Sequence, residues 1–432
     1  KRLNWLISSD QEESASSGGR GGRHSVSVTS TFSMTTRRSR RAPPSSSSSR
    51  TIQLKGSSGA YWSASRCCAV SGGGDENETK SYQLYLGIGK TVYRATRSCG
   101  IGKVPREGEE LFKLGKDDVV LPSESKAGLE VTNLQAFAHR HEIQSMATWN
   151  ASSTSIGSHF VASVDSTGSL CVCEFQNHQS IRSDDEKDEA SQCPERSYQA
   201  QPLSCSAMEV GWAGVALGRQ QPTKAVVARH FPKDLNVFDG DMLVRTIKTI
   251  QNPTAIQMLE DEVYVVAETN KIGVYDLRVD ARQGCVQCLQ ATDTVTCLAS
   301  SPSRGSTSSD AAVASGIGRT VAVWDVRKWN AFSRFTGLRQ EACGIKCLNT
   351  KANALCVASM NGEIKVIKFS PGATVVSAKQ KSTTFKSHAN LRGDSRWIGL
   401  SAPVSHALWN GAAADTCIGL GVSGGLYSVT LS

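Results

Sequence analysis

One local pattern recurs along the chain and restricts the fold more than any other feature. A short apolar strand leads into a turn of small or polar residues, and a second strand with alternating apolar and polar residues follows. The segment "GIGKTV" at 87–92 returns almost unchanged as "GIGRTV" at 316–321. Such strand pairs lie at 82–97, 160–175, 225–241, 263–278, 312–327, 355–369 and 417–431. Self-similarity of this kind predicts an array built from one structural unit.

Further strand-like segments flank these pairs. Candidate inner strands precede several of them, at 143–149, 255–259, 295–300, 345–349 and 405–409, and a fourth strand follows most pairs. Four short antiparallel strands that recur every roughly 40–65 residues are typical of the blades of a β-propeller. We therefore predict an all-β fold over residues 50–432, a seven-bladed β-propeller of four-stranded antiparallel blades. The polar segment at about 177–197 is predicted to be an acidic loop insertion within it.

The N-terminal part has a different composition. From residue 14 to residue 74 the chain carries nine Lys or Arg and no Asp or Glu, whereas the chain from residue 75 onward carries 37 basic and 36 acidic residues. Residues 1–49 are rich in Ser, Gly and Arg and poor in apolar residues, which predicts a disordered basic tail. Its cluster "RRSRR" at 37–41 is typical of nuclear import signals and polyanion-binding arms, and the same composition fits an organelle transit peptide.

At "VAVWDVRKW" and "IGVYDLR" the chain resembles the WD-repeat β-propeller family, whose blades end their third strand in Trp-Asp. Trp324-Asp325 keeps both letters, and His139 stands where that family has a His near the start of a blade. In the other blades the Trp place is filled by Cys173, Phe238, Tyr275, Ile367 or Val429. The resemblance implies a protein-interaction scaffold. It also implies that the ring closes by borrowing a strand from the other end of the chain, for which "TIQLKG" at 51–56 is the candidate.

Two four-residue segments on consecutive predicted blades resemble a more specialised motif. Tyr275-Asp-Leu-Arg278 and Trp324-Asp-Val-Arg327 look like the Trp-Asp-x-Arg box of propellers that serve as substrate receptors of cullin-4 ubiquitin ligases. In that group the boxes dock onto the ligase's adaptor, and the Arg is the most telling residue. The Asp usual six residues before the Trp is replaced here by Thr269 and Gly318. The candidate protein-binding residues are Tyr275, Asp276, Arg278, Trp324, Asp325 and Arg327.

The remaining motifs do not support a catalytic, cofactor or metal site. "GIGKT" at 87–91 lacks the first Gly of a phosphate-binding loop and lies between two strands instead of before a helix. Cys285 and Cys288 form a lone C-x-x-C, and residues three apart on a strand point to opposite faces. His139 and His141 could share a face toward a metal, but the resemblance implies that His139 forms a hydrogen bond within its own blade. No Ser-His-Asp order or G-x-S-x-G motif is present.

These observations predict a non-catalytic protein–protein interaction scaffold without a cofactor. The 14 cysteines form no disulfide framework, and no run of 18 uncharged apolar residues could cross a membrane. We expect a monomeric propeller that works within a complex in the nucleus or the cytoplasm. Two alternatives stay open: a substrate receptor of a cullin-4 type ubiquitin ligase, and a nucleic-acid-associated nuclear factor that binds through the basic tail.

Overall fold

The computed structural model of the chain describes its strands and many of the turns between them. The described residues are 63–71, 81–98, 130–150, 158–176, 194–203, 209–218, 220–260, 262–280, 284–300, 312–348, 354–369, 397–401, 405–407, 413–421 and 426–431. They contain no α-helix. The predicted tail at 1–49, the predicted closing strand at 51–56 and most of the predicted acidic loop lie outside them. Arg196 and Ser197, which we assigned to that loop, belong to a strand.

The strands form seven antiparallel sheets in chain order. Sheet 1 contains β1 (Cys67–Ser71), β2 (Ser81–Ile88), β3 (Thr91–Ser98) and β4 (Glu130–Asn133), and sheet 2 contains β5 (Ile143–Asn150), β6 (Ser158–Asp165), β7 (Leu170–Gln176) and β8 (Arg196–Ala200). Sheet 3 contains β9 (Ala213–Leu217), β10 (Lys224–Arg229), β11 (Asp234–Asp239) and β12 (Met242–Lys248). Sheet 4 contains β13 (Pro253–Glu260), β14 (Val263–Glu268), β15 (Lys271–Asp276) and β16 (Cys285–Gln290).

Sheets 5 and 6 pair their strands in chain order, whereas sheet 7 does not. Sheet 5 contains β17 (Val295–Ser300), β18 (Ala312–Ile317), β19 (Thr320–Asp325) and β20 (Asn330–Thr336). Sheet 6 contains β21 (Ala342–Cys347), β22 (Ala354–Ser359) and β23 (Ile364–Lys368). Sheet 7 contains β24 (Trp397–Ser401), β25 (Ser405–Ala407), β26 (Ala413–Gly421) and β27 (Leu426–Leu431), and in it β26 pairs with the other three strands.

The sheets form a closed ring. The innermost strand of each sheet packs against the innermost strand of the next, in the order β1, β5, β9, β13, β17, β21, β24 and back to β1. At the closure Arg66 N donates to Ile398 O and Leu400 N donates to Ala64 O, each at 3.0 Å. The fold is therefore an all-β propeller with antiparallel blades, as predicted.

The number of four-stranded blades differs from the prediction. Six of the sheets have four strands, and sheet 6 has three strands among the described residues. Sheet 6 ends at β23 and Phe369, and β24 begins at Trp397. The segment between them, residues 370–396, lies outside the described residues. The structure therefore shows six of the seven predicted four-stranded blades, and the fourth strand predicted for sheet 6 falls outside the described residues.

The core lies between neighbouring sheets. The second strands, such as β18 and β22, are buried along their whole length because each lies between two other strands and has a further sheet on both faces. The outer strand β12 instead alternates exposed and buried side chains, with Met242, Val244 and Lys248 exposed. This contrast accounts for the strand pairs being the clearest signal in the sequence.

A recurring irregularity fixes the ends of the third strands. In sheets 3, 4 and 5 the pairing of the third strand with the outer strand shifts by a β-bulge, just before Phe238, Tyr275 and Trp324 respectively. These three aromatic residues were predicted to fill the same place in their blades, and their common position at the bulge confirms that they are equivalent. A bulge bends the strand locally and redirects the residues that follow.

Candidate protein-binding site at two strand ends

The two Trp-Asp-x-Arg-like segments end the third strands of adjacent sheets. β15 ends at Asp276 and β19 ends at Asp325, and sheets 4 and 5 are neighbours through β13 and β17. Both sheets repeat the same strand order, so both third strands end at the same face of the ring. We call this face the lower face, and the opposite one, where the third strands begin, the upper face.

The two aromatic side chains lie in the core and not on the lower face. Trp324 is 4% exposed, and its Nε1 donates to the Ser315 hydroxyl at 2.8 Å. Tyr275 is fully buried, and its hydroxyl donates to the Glu268 carboxylate. Burial raises the pKa of Glu268, and the hydrogen bond from Tyr275 acts in the opposite direction. These aromatics can therefore anchor the strand ends but cannot contact a partner directly.

The two arginines, by contrast, project into solvent. The Arg278 side chain is 63% exposed, and its Nε and Nη2 donate to the two carboxylate oxygens of Asp276 at 2.8 and 2.7 Å. The Arg278 backbone N–H also donates to Asp276 Oδ1 at 3.0 Å. These hydrogen bonds lower the pKa of Asp276. The guanidinium is thus oriented by its own strand end while its other N–H groups stay available.

The second strand end repeats this geometry in a looser form. The Arg327 backbone N–H donates to Asp325 Oδ1 at 2.9 Å, and Arg327 Nε lies 3.4 Å from the same oxygen. The Arg327 side chain is 58% exposed. Arg327 lies in a tight turn, because Trp329 N donates to Asp325 O at 2.6 Å and Trp329 has a positive φ of 52°. The Asp-x-Arg pairs are therefore alike in position but not in rigidity.

Arg245 is a positioning residue that the sequence analysis missed. It lies on β12 of sheet 3, and its Nη1 donates to Leu277 O at 2.6 Å and to Val279 O at 2.9 Å, while Nη2 donates to Val279 O at 2.8 Å. The turn that carries Arg278 is thereby tied to the preceding blade. The alternating pattern of β12 places Arg245 on its less exposed side, which is the signal in the sequence that could have identified it.

The histidine motif at 139–141 contributes a structural hydrogen bond. His139 Nε2 lies 2.7 Å from Ser163 Oγ, and His139 Nδ1 lies 3.5 Å from Asp165 Oδ2. The predicted hydrogen bond of His139 within its own blade is confirmed. Burial raises the pKa of Asp165, but hydrogen bonds from His139 and Thr167 outweigh it and lower the pKa overall. His141 is exposed.

The C-x-x-C pair lies on one strand, as predicted. Both residues belong to β16, with Cys285 partly buried and Cys288 exposed. No group of three or more His, Cys, Asp or Glu side chains able to hold a metal ion occurs in the described part of the chain. The glycine turns are also as predicted, because Gly89 and Gly318 have φ values of +59° and +53°, which only glycine adopts without strain.

The fold and these strand ends define the class of the protein as a β-propeller that presents arginines at the ends of neighbouring third strands. No protein-family model matches the chain, and a search of curated proteins finds no match. In the described residues, no helix is long and apolar enough to cross a membrane.

Proposed function

We propose that this chain is a WD-repeat-type β-propeller that works as a non-catalytic scaffold for protein–protein interaction. The closed ring and the propeller fold, which commonly serves as an interaction scaffold, support this function. We also propose that sheet 6 is a seventh blade, because β21 takes its place in the ring between β17 and β24. A rigid ring binds partners with little ordering cost in the scaffold itself.

The observation that carries the proposal is the pair of exposed guanidiniums on the lower face. Arg278 and Arg327 lie at equivalent places on adjacent sheets, and each is oriented by the Asp two residues before it. An oriented guanidinium with unused N–H groups suits the recognition of carboxylates or backbone carbonyls on a partner protein. The arginines are oriented by the carboxylates of Asp276 and Asp325. The strand ends that carry them are anchored in the core by the buried side chains of Tyr275 and Trp324.

A second, more specific role is favoured by the same pair. The proposal is that the lower face docks the adaptor of a cullin-4 type ubiquitin ligase, so that the chain acts as a substrate receptor. Its support is the resemblance of both segments to the Trp-Asp-x-Arg box together with their position at the same face of consecutive sheets. The nucleic-acid alternative and the nuclear or cytoplasmic location depend on the basic tail, which lies outside the described residues, and they stay predictions.

Affinity purification with mass spectrometry tests both roles. The full chain is expressed as wild type, as Arg278→Glu/Arg327→Glu, and as a control with Arg319→Glu/Arg339→Glu, which reverses two exposed arginines at the upper face. We expect the first pair of substitutions to remove a set of partners that the control retains. Recovery of the cullin-4 adaptor in that set supports the receptor role, and its absence from the wild-type sample rejects that role. If no partner depends on the arginines, the proposed site is wrong.

A further inference from the structure

A cavity on the ring axis brings together residues from all seven sheets. Its volume is about 210 Å³, many times the roughly 10–15 Å³ that one water molecule requires. The innermost strands of every sheet contribute to its wall, from Cys67 on β1 to Ser401 on β24. The cavity is therefore the central channel of the propeller, and it is separate from the arginines at the strand ends.

The channel carries one charge. Among the lining residues that the structure describes, Lys346 on β21 is the single charged one, and no carboxylate is among them. Lys346 is partly buried, and within the described residues no hydrogen bond or ion pair is made by its ammonium. A partly buried positive charge without an anionic partner costs free energy, because burial removes part of its hydration.

The positive charge of Lys346 affects cysteine thiols on two other sheets. The charge of Lys346 lowers the pKa of Cys67 on β1 and of Cys297 on β17, which opposes the larger effect of burial on these thiols. Because burial raises the pKa of both thiols to about 12, they stay neutral at pH 7 and do not balance the lysine. The channel therefore has a net positive charge in its described lining.

The rest of the wall suits an anion that accepts hydrogen bonds. Residues with hydroxyl side chains line the same cavity, namely Ser63, Ser145, Thr148 and Ser401, together with Ser65, whose hydroxyl already donates to Gln144 O at 3.1 Å. Low-dielectric walls also strengthen the attraction between a cation and an entering anion. From the single lysine, the missing carboxylates and the hydroxyl-bearing wall, we propose that the central channel binds a small oxyanion, such as phosphate or a carboxylate, at Lys346.

Thermal unfolding of the full chain tests the site. The probes are inorganic phosphate and acetate, each replacing sodium chloride at constant ionic strength, which separates a tetrahedral oxyanion from a carboxylate. An anion that binds the folded state alone raises Tm in a saturable way. We expect such a rise with at least one probe, and Lys346→Met should raise the apparent Kd at least about tenfold, as the loss of a charged hydrogen-bond donor implies.

Two further variants make the result specific. Lys346→Arg keeps the charge and should retain the response, and Lys90→Met removes an exposed lysine at the upper face and should respond as the wild type does. Circular dichroism confirms that each variant folds; if Lys346→Met does not fold, Lys346→Gln takes its place. An equal response in all variants, or no saturable response to either probe in the wild type, would overturn the proposal. The test does not involve Arg278 or Arg327, so it is independent of the proposed function.

Discussion

Arg245 lies on one blade yet holds the turn of the next, so its loss should loosen the strand end that carries Arg278. Its guanidinium makes three contacts of 2.6 to 2.9 Å with the carbonyl oxygens of Leu277 and Val279. A hydrogen bond to a charged group contributes about 1.5–3 kcal/mol. Shared donors and acceptors and partial exposure reduce the sum, and we expect Arg245→Met to lower the free energy of unfolding by about 1–2 kcal/mol.

Two measurements separate this effect from a general loss of stability. Urea unfolding gives the free energy, and hydrogen exchange should be faster at the amides of Leu277 and Val279, which donate to Glu262 O and Asp276 O. The matched control is Arg334→Met, an exposed arginine on the outer strand of sheet 5, which should change stability by no more than about 0.5 kcal/mol. If Arg245→Met leaves the exchange of both amides unchanged, the contacts do not hold the turn and the reasoning is refuted.

Three further predictions concern buried residues, two of them behind the strand ends and one in sheet 7. Ser315→Ala leaves the buried Trp324 Nε1 without its acceptor and should cost about 1–3 kcal/mol in urea unfolding; a cost near zero contradicts a structural hydrogen bond. Glu268 has a pKa raised by burial above its usual 4.5, so the stability it contributes is full below pH 4.5 and is lost as pH rises through the raised pKa. Glu268→Gln should therefore weaken the fall in unfolding free energy above pH 4.5, and an unchanged pH profile contradicts the raised pKa. A methyl group on Gly419 would overlap the buried indole of Trp397, so Gly419→Ala should lower Tm by an amount that corresponds to about 1–3 kcal/mol, and an unchanged Tm contradicts this packing.

The strand pairs were predictable because their burial is local and regular. Second strands such as β18 are buried throughout and consist mostly of small or apolar residues. A glycine turn with positive φ follows directly, so both signals lie within the same few residues. The inner strand β24 was missed because it is short and separate from β25, which alone matched the pattern we recognised. Its pairing with β26 depends on residues some 20 positions away, which no local periodicity reveals.

The residues of the candidate site were predictable from the sequence, but which of them are buried and which are exposed was not. The sequence places Tyr275 and Arg278 in one motif, yet the structure buries the tyrosine against Glu268 and exposes the arginine. The difference arises because Tyr275 lies within β15, whereas Arg278 lies beyond the end of that strand at Asp276, and the strand end depends on the pairing with β14 and β16. Arg245 was missed for a similar reason, because its acceptors belong to a different sheet.

The unequal rigidity of the two arginines leads to a final prediction. Arg278 is held by two side-chain hydrogen bonds to Asp276 and by a turn that Arg245 fixes, whereas Arg327 keeps one longer side-chain contact with Asp325. Ordering a free side chain at an interface costs about 0.5–1.5 kcal/mol. The hydrogen bonds to Asp276 already order Arg278 in the unbound protein, so binding orders it further only a little. For a partner that uses both arginines, Arg278→Met should therefore weaken binding more than Arg327→Met, by roughly two- to tenfold in Kd. Calorimetric titration of a purified partner against both variants measures the ratio, and equal losses would show that the hydrogen bonds to Asp276 do not prepare Arg278 for binding.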